Sequence, residues 1–138
     1  MSERRYLLDT NILSALIREP QGPVATILKQ RGYDRVCTSL IVAAELRFGA
    51  LKRGSSSLTG KVNDLLASMP VLPLEAGVDD AYAQVRFALE QRGAPIGPND
   101  LLIAAHAIDQ ELILVTDNLN EFSRVPNLRV ENWLDLQH

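Results

Sequence analysis

Four carboxylates stand where apolar runs of this chain begin, end or break. Tyr6-Leu7-Leu8 runs into Asp9, and Leu112-Ile113-Leu114-Val115 runs through Thr116 into Asp117. Glu45 follows Leu40-Ile41-Val42-Ala43-Ala44, and Asp100 opens Leu101-Leu102-Ile103-Ala104-Ala105. Carboxylates in such positions lose hydration and repel one another if they converge, so they need a shared partner. A divalent cation is the simplest one. Oxygen ligands without an imidazole or thiolate cluster select hard cations, Mg²⁺ or Mn²⁺. Such an ion orients and acidifies an attacking water and neutralises charge on a phosphoryl group, which suits the site to phosphodiester hydrolysis. Thr10, Asn11, Thr116 and Asn118 flank these acids and are candidate donors that orient the carboxylates or hold metal-bound water.

Each acid also has a structural explanation. Asp9 can cap the helix that follows it. Glu45 can pair with Arg47 or Lys52, Asp100 suits the positive end of a helix dipole, and Asp117 can begin a turn with Asn118. The joint pattern, not any single residue, points to a metal site.

Composition narrows the alternatives. The chain has 138 residues and a hydrophobic fraction of 46%, which is enough for one domain with a real core, spanning 1–138. No run approaches the ~20 apolar residues of a membrane span. Met1-Ser2-Glu3-Arg4-Arg5 leads straight into a strand-like run without a signal-peptide core, so the expected location is cytoplasmic, with no membrane partner. The single cysteine, Cys37, excludes an internal disulfide and reads as a core residue between Val36 and Thr38. The two histidines are His106, on an apolar helical stretch, and His138 at the end of the chain, which argues against imidazole-bound zinc and a Ser-His-Asp triad. The net charge of −3 does not advertise a nucleic-acid binder. Arg4, Arg5, Lys29, Arg31, Arg35, Arg47, Lys52, Arg53, Arg86, Arg92, Arg124 and Arg129 are available for a basic rim, although composition by itself favours evenly solvated surface charge.

The elements that must position the acids follow from periodicity and punctuation. Tyr6–Leu8, Arg35–Thr38, Val71–Leu74, Leu112–Thr116 and Val125–Val130 read as short strands. Helices are expected over Ile12–Ile17, Val24–Gln30, Leu40 to about Lys52 (capped by Ser39), Leu58–Ser68, Val78–Arg92 and Asn99–Gln110, with a terminal turn at Trp133-Leu134. Strands alternating with helices imply an α/β three-layer sandwich around a mainly parallel central sheet. Sites in such sheets form at the carboxyl ends of strands, where Asp9 and Asp117 fall.

The ordered set Leu8-Asp9-Thr10-Asn11, Ala44-Glu45-Leu46 with Gly49, Ile96-Gly97-Pro98-Asn99-Asp100 through Ala107, and Val115-Thr116-Asp117-Asn118 through Glu121-Phe122 resembles the PIN-domain ribonucleases. More narrowly, together with Phe122-Ser123-Arg124-Val125-Pro126 and Glu131-Asn132-Trp133, it is similar to the VapC-type toxins of bacterial toxin–antitoxin pairs. The resemblance implies a PIN-like fold and an endoribonuclease using Mg²⁺ or Mn²⁺, with transfer RNA as the leading substrate. It also implies a co-expressed antitoxin that lays an apolar segment in a helix groove and a basic side chain over the acids, and a homodimer. Asp9, Glu45 and Asp100 match the family's dependable acidic positions, with Asp9 and Asp100 as metal ligands. Asn118 stands where the wider family often has an acid, so Asp117 and Glu121 both remain candidates for the fourth corner.

Two other enzyme or signalling classes fit less well. A haloacid-dehalogenase-like phosphatase needs a second Asp two residues after the first, where this chain has Asn11, and a receiver domain needs a further acidic cluster and a late lysine. A catalytically degenerate PIN-like binding module would have no need of Asp9, Glu45 and Asp100 together.

Overall fold

Each strand is a short apolar run that stops at a polar residue able to start the next element. Strand β1 (Tyr6–Leu8) stops at Asp9, whose carboxylate caps α1 (Thr10–Arg18) by accepting the Thr10 backbone N–H. A Pro at the first turn opens α2 (Pro23–Arg31), and one turn of 3₁₀ helix leads to β2 (Val36–Ser39). Ser39 ends that strand and caps α3 (Leu40–Arg53) through the Ile41 N–H, while Gly54 closes it in the left-handed conformation at φ 64°. There follow α4 (Ser56–Ala67, capped by Ser55), β3 (Val71–Leu72), α5 (Val78–Gln91) and α6 (Pro98–Asp109). The chain finishes with β4 (Ile113–Val115), α7 (Leu119–Phe122) and β5 (Val130–Glu131). This computed structural model describes residues 4–134, so Met1, Ser2 and Glu3 of the leader reading, and His138, lie outside the described residues.

The strands form one sheet in the order β3-β2-β1-β4-β5, and every pairing is parallel. The expected sandwich is therefore present, with a sheet that is wholly rather than mainly parallel among the described residues. Its central strands are buried on both faces, as parallel sheets require: Leu7, Leu8, Leu114 and Val115 are inaccessible to solvent. Each such side chain contributes about 1.5–3 kcal/mol of burial. Helices α1 to α4 pack among themselves, and α5 lies along α6.

Topology places the site. The chain runs from β1 outward through β2 to β3, then returns to the other side of β1 as β4. The strand order reverses between β1 and β4, and crevices in open α/β sheets form at such a point. The parallel register sets Leu8 beside Val115, so Asp9 and Thr116 emerge side by side, with the Asp9 N–H bonded to the Val115 carbonyl at 2.9 Å.

Two boundaries differ from expectation. The last strand is Val130–Glu131, not Val125–Val130. Val125 is buried with its N–H bonded to the Phe122 carbonyl, and Asn127 turns the chain at φ 66°, a conformation a strand does not adopt. The four-residue α7 was not anticipated, being too short to show a helical period. Cys37 is fully buried, and desolvation pushes its thiol up to about 11, so it is an inert core residue. No helix among the described residues is long and apolar enough to cross a membrane.

Candidate active site

Asp9 is 5% exposed and both of its oxygens are engaged: Oδ1 accepts from Thr10 N and Oδ2 from Thr116 Oγ1, each at 2.8 Å. Burial raises its pKa, the two hydrogen bonds lower it, and the neighbouring charges of Glu45 and Asp117 raise it again; the net direction is upward.

Glu45 comes from α3. Its Oε1 accepts from Thr10 Oγ1 at 2.5 Å and its Oε2 from Asn99 Nδ2 at 3.3 Å, so the starts of α1 and α6 are drawn around one carboxylate. Asp100 lies in the first turn of α6, where the helix dipole favours its anion. That preference is overridden. Burial, a hydrogen bond shared with Glu121, and the charges of Glu121, Asp9 and Glu45 push Asp100 up to about 7.

Glu121, on α7, stands beside Asp100, with which it shares a hydrogen bond. Its Oε1 accepts the Gly97 N–H at 3.0 Å and its Oε2 the Asn118 amide at 2.6 Å. Burial works against its ionisation, but these bonds, the Asp100 contact and the Arg124 charge outweigh it, and its pKa is lowered. Asp117 is exposed and accepts from Asn11 Nδ2 at 3.0 Å, while its charge still reaches Asp9.

The four candidate donors each hold one acid: Thr10 holds Glu45, Asn11 holds Asp117, Thr116 holds Asp9 and Asn118 holds Glu121. Sequence reasoning passed over Asn99 and the Gly97 N–H. Both lie inside the Ile96–Asp100 segment already singled out, and the Pro98 helix start between them is the signal that would have aimed them at the site. Some of the basic residues are engaged elsewhere. Arg31 pairs with Glu131, Arg86 with Glu90, Arg47 with Asn63, and Arg92 with the Arg124 carbonyl. Arg53 does line a groove of about 470 Å³ that starts at Thr10 and Glu45, but its companions there are Arg18 and Lys61, which the basic set omitted. His106 is a core residue: Nδ1 meets Ser39 Oγ at 2.8 Å, none of the five acids is among its partners, and burial lowers its pKa.

Asp9, Glu45, Asp100 and Glu121 thus converge at the switch point, and no salt bridge among the described residues includes any of them. A hard cation fits this donor set, since it is all oxygen, and burial together with the neighbouring acids pushes Asp100 up to about 7. No ready-made cage of three acids exists among the described residues. The carboxylates are instead spread and held by neutral donors, an arrangement suited to an ion that keeps several of its waters, as Mg²⁺ does.

Asp117→Asn is expected to change RNA cleavage by less than about threefold, because its carboxylate bonds to exposed Asn11 and its charge is the smallest of the influences on Asp9. Glu121→Gln should cost more than about tenfold. Steady-state cleavage assays check both, and equal losses would reopen the fourth position.

Comparison with known proteins gives a consistent picture. The PIN domain family matches residues 6–128. Ribonuclease VapC2 of Rickettsia felis is 38% identical over 130 residues, covering 93% of this chain and 97% of the relative. The tRNA(fMet)-specific endonuclease VapC of Salmonella typhimurium is 32% identical over 130 residues, 94% of this chain and 98% of the relative. The crystal structure of VapBC2 from Rickettsia felis bound to a promoter DNA fragment superposes with a TM-score of 0.86 at 36% identity, covering 93% of this chain and 98% of that one. The DNA-bound VapBC of Salmonella typhimurium gives 0.85 at 32% identity, covering 94% and 98%.

Proposed function

This chain belongs to the PIN-domain family, among the VapC ribonuclease toxins, and on that premise we propose that it is a Mg²⁺- or Mn²⁺-dependent endoribonuclease with tRNA as substrate. The observation that carries the metal dependence is the convergence of Asp9, Glu45, Asp100 and Glu121 with no salt bridge to any of them among the described residues and only the Arg124 charge felt at Glu121. The tRNA assignment is supported by the Salmonella relative's designation.

In this reading Asp9 and Asp100 hold the ion, and Glu45 and Glu121 complete the site. When bound, the ion supplies an acidified water and neutralises the phosphoryl charge. The protein's share is to place the acids. Thr116 and the Thr10 N–H fix both Asp9 oxygens, Thr10 and Asn99 fix Glu45, and Gly97 and Asn118 fix Glu121. Asp100 loses its proton to receive the cation, so loading is favoured as pH rises through about 7.

The cognate antitoxin fits the groove that begins at Glu45. Leu46, Ala50, Leu58 and Val62 offer it an apolar wall, and Arg18, Arg53 and Lys61 line it with positive charge. An amphipathic antitoxin helix with acidic flanks would lie here and place a basic side chain over the acids. The reading includes a cytoplasmic homodimer, for which the exposed Phe48 and Leu51 of α3 and Phe87 of α5 are available contacts.

Expression of the chain alone in a bacterial host is expected to arrest growth, and co-expression with the protein encoded immediately beside it to relieve the arrest. Normal growth at verified expression would contradict toxin activity.

A further inference from the structure

The Glu131-Asn132-Trp133 segment has no contact with the acids, yet it carries a tightly built cluster. Arg31, at the end of α2, directs Nη1 to Tyr6 Oη at 2.6 Å and to Glu131 Oε1 at 3.1 Å. The same Glu131 oxygen accepts from Trp133 Nε1 at 3.0 Å. The Tyr6 and Trp133 rings meet edge to face at 5.2 Å, and the Arg31 guanidinium lies 5.4 Å from one ring centroid and 5.8 Å from the other. Trp133 is fully buried.

The cluster anchors a strand that could not hold itself. Strand β5 has two residues at the sheet edge, too few for its ladder to be stable without support. One of its few bonds matters to the site: the Thr116 N–H donates to the Glu131 carbonyl at 2.9 Å. Thr116 then accepts from the Asn118 N–H at 3.0 Å and donates its hydroxyl to Asp9 Oδ2. A continuous chain of bonds therefore runs from Arg31 through Glu131 and Thr116 to the buried acid.

We propose that Arg31, Glu131 and Trp133 form a latch that positions Thr116, and through it Asp9, for cation binding. They are positioning residues and touch neither substrate nor ion. The inference rests on the reading of Asp9 as a metal ligand. Releasing the latch frees the Glu131 carbonyl from the Thr116 amide, and the Thr116 hydroxyl then no longer holds one Asp9 rotamer. Metal affinity should suffer more than RNA affinity, because the cluster reaches the site only through the Thr116 bond to Asp9.

The test compares full-length wild type with Arg31→Met, Trp133→Phe and Glu131→Gln. Mn²⁺ binding is titrated directly without RNA, amide hydrogen exchange is followed at Thr116, and kcat and KM are measured at saturating and limiting Mn²⁺. Arg31→Met should weaken Mn²⁺ binding about tenfold and lower kcat at limiting Mn²⁺, with KM for RNA within about twofold. Thr116 exchange should accelerate at least about tenfold while Leu7 and Leu114 stay protected. Trp133→Phe keeps a ring and should be milder, so it remains informative if Arg31→Met fails to fold. Glu131→Gln keeps the accepting oxygen but loses the charge facing Arg31, and should weaken Mn²⁺ binding by less than Arg31→Met; a loss larger than that of Arg31→Met would contradict the latch. Unaltered Mn²⁺ binding in both Arg31→Met and Trp133→Phe overturns the latch, as does uniform acceleration of exchange across the core. A wild type that binds no Mn²⁺ contradicts the metal-site reading itself, a separate outcome.

Discussion

Replacing Asp9 by Asn is expected to lower RNA cleavage by at least about a hundredfold without lowering the thermal midpoint. The loss follows from position: Asp9 ends β1 at the switch point, beside Glu45 and Asp117 in charge and bonded to Thr116. Even an outer-layer partner of a metal ligand is worth about 10–100-fold, so removing a ligand should exceed that. The fold should survive because Asn caps α1 as well as Asp does, and one amide oxygen still accepts from Thr10 N. The amide NH₂ can in turn donate to Thr116 Oγ1. Burial and repulsion already disfavour the Asp9 anion in the metal-free protein, so the neutral variant should be equally stable or slightly more so. A parallel fall in activity and melting temperature would mean that Asp9 is chiefly structural.

The second large effect concerns Asp100. In the folded chain its carboxyl titrates at about 7, against roughly 3.9 in the unfolded chain. Between those values the native state holds a proton that the unfolded state has released. The stability of the metal-free protein therefore falls as pH rises from about 4 through about 7, the reverse of an ordinary salt-bridged acid. Asp9 is shifted in the same direction and adds the same sign. Glu121, lowered from 4.5, has the opposite sign but acts only below its ordinary value. Solvent screening at half-buried Asp100 limits the effect to about 1 kcal/mol, or about 4 °C for a domain of this size. Melting curves in chelator between pH 5 and pH 8 should show that decline, and Asp100→Asn should flatten it while losing cleavage. Saturating Mn²⁺ should restore the wild-type midpoint at pH 8 and leave Asp100→Asn nearly unmoved. Stability that rises over this range would contradict the crowding of acids.

Much of this architecture is legible in the chain because its elements are punctuated. Asp9 and Ser39 are caps that follow apolar strands directly, and Pro98 opens α6 two residues before Asp100. Strand-end logic placed Asp9 and Asp117 at neighbouring strand ends across more than a hundred positions, and the fold sets Thr116, one residue earlier, against Asp9. It could not decide between Asp117 and Glu121. Facing at the last residue of a strand depends on which neighbour takes the inward position, and Thr116 takes it by bonding to Asp9. Glu121 reaches the site through α7, a single helical turn held by tertiary packing of buried Phe122 rather than by any period in the sequence. The latch was hidden for the same reason. Arg31 and Glu131 are a hundred positions apart, and only the folded sheet brings them together.

The most direct test of the metal-dependent ribonuclease is to incubate purified protein with total RNA and Mn²⁺ and map the new 5′ ends, beside Asp9→Asn and a chelator-treated control. Discrete new ends in tRNA, absent from both controls, are the predicted result. Ends that persist in excess chelator, or that Asp9→Asn produces equally well, would contradict it.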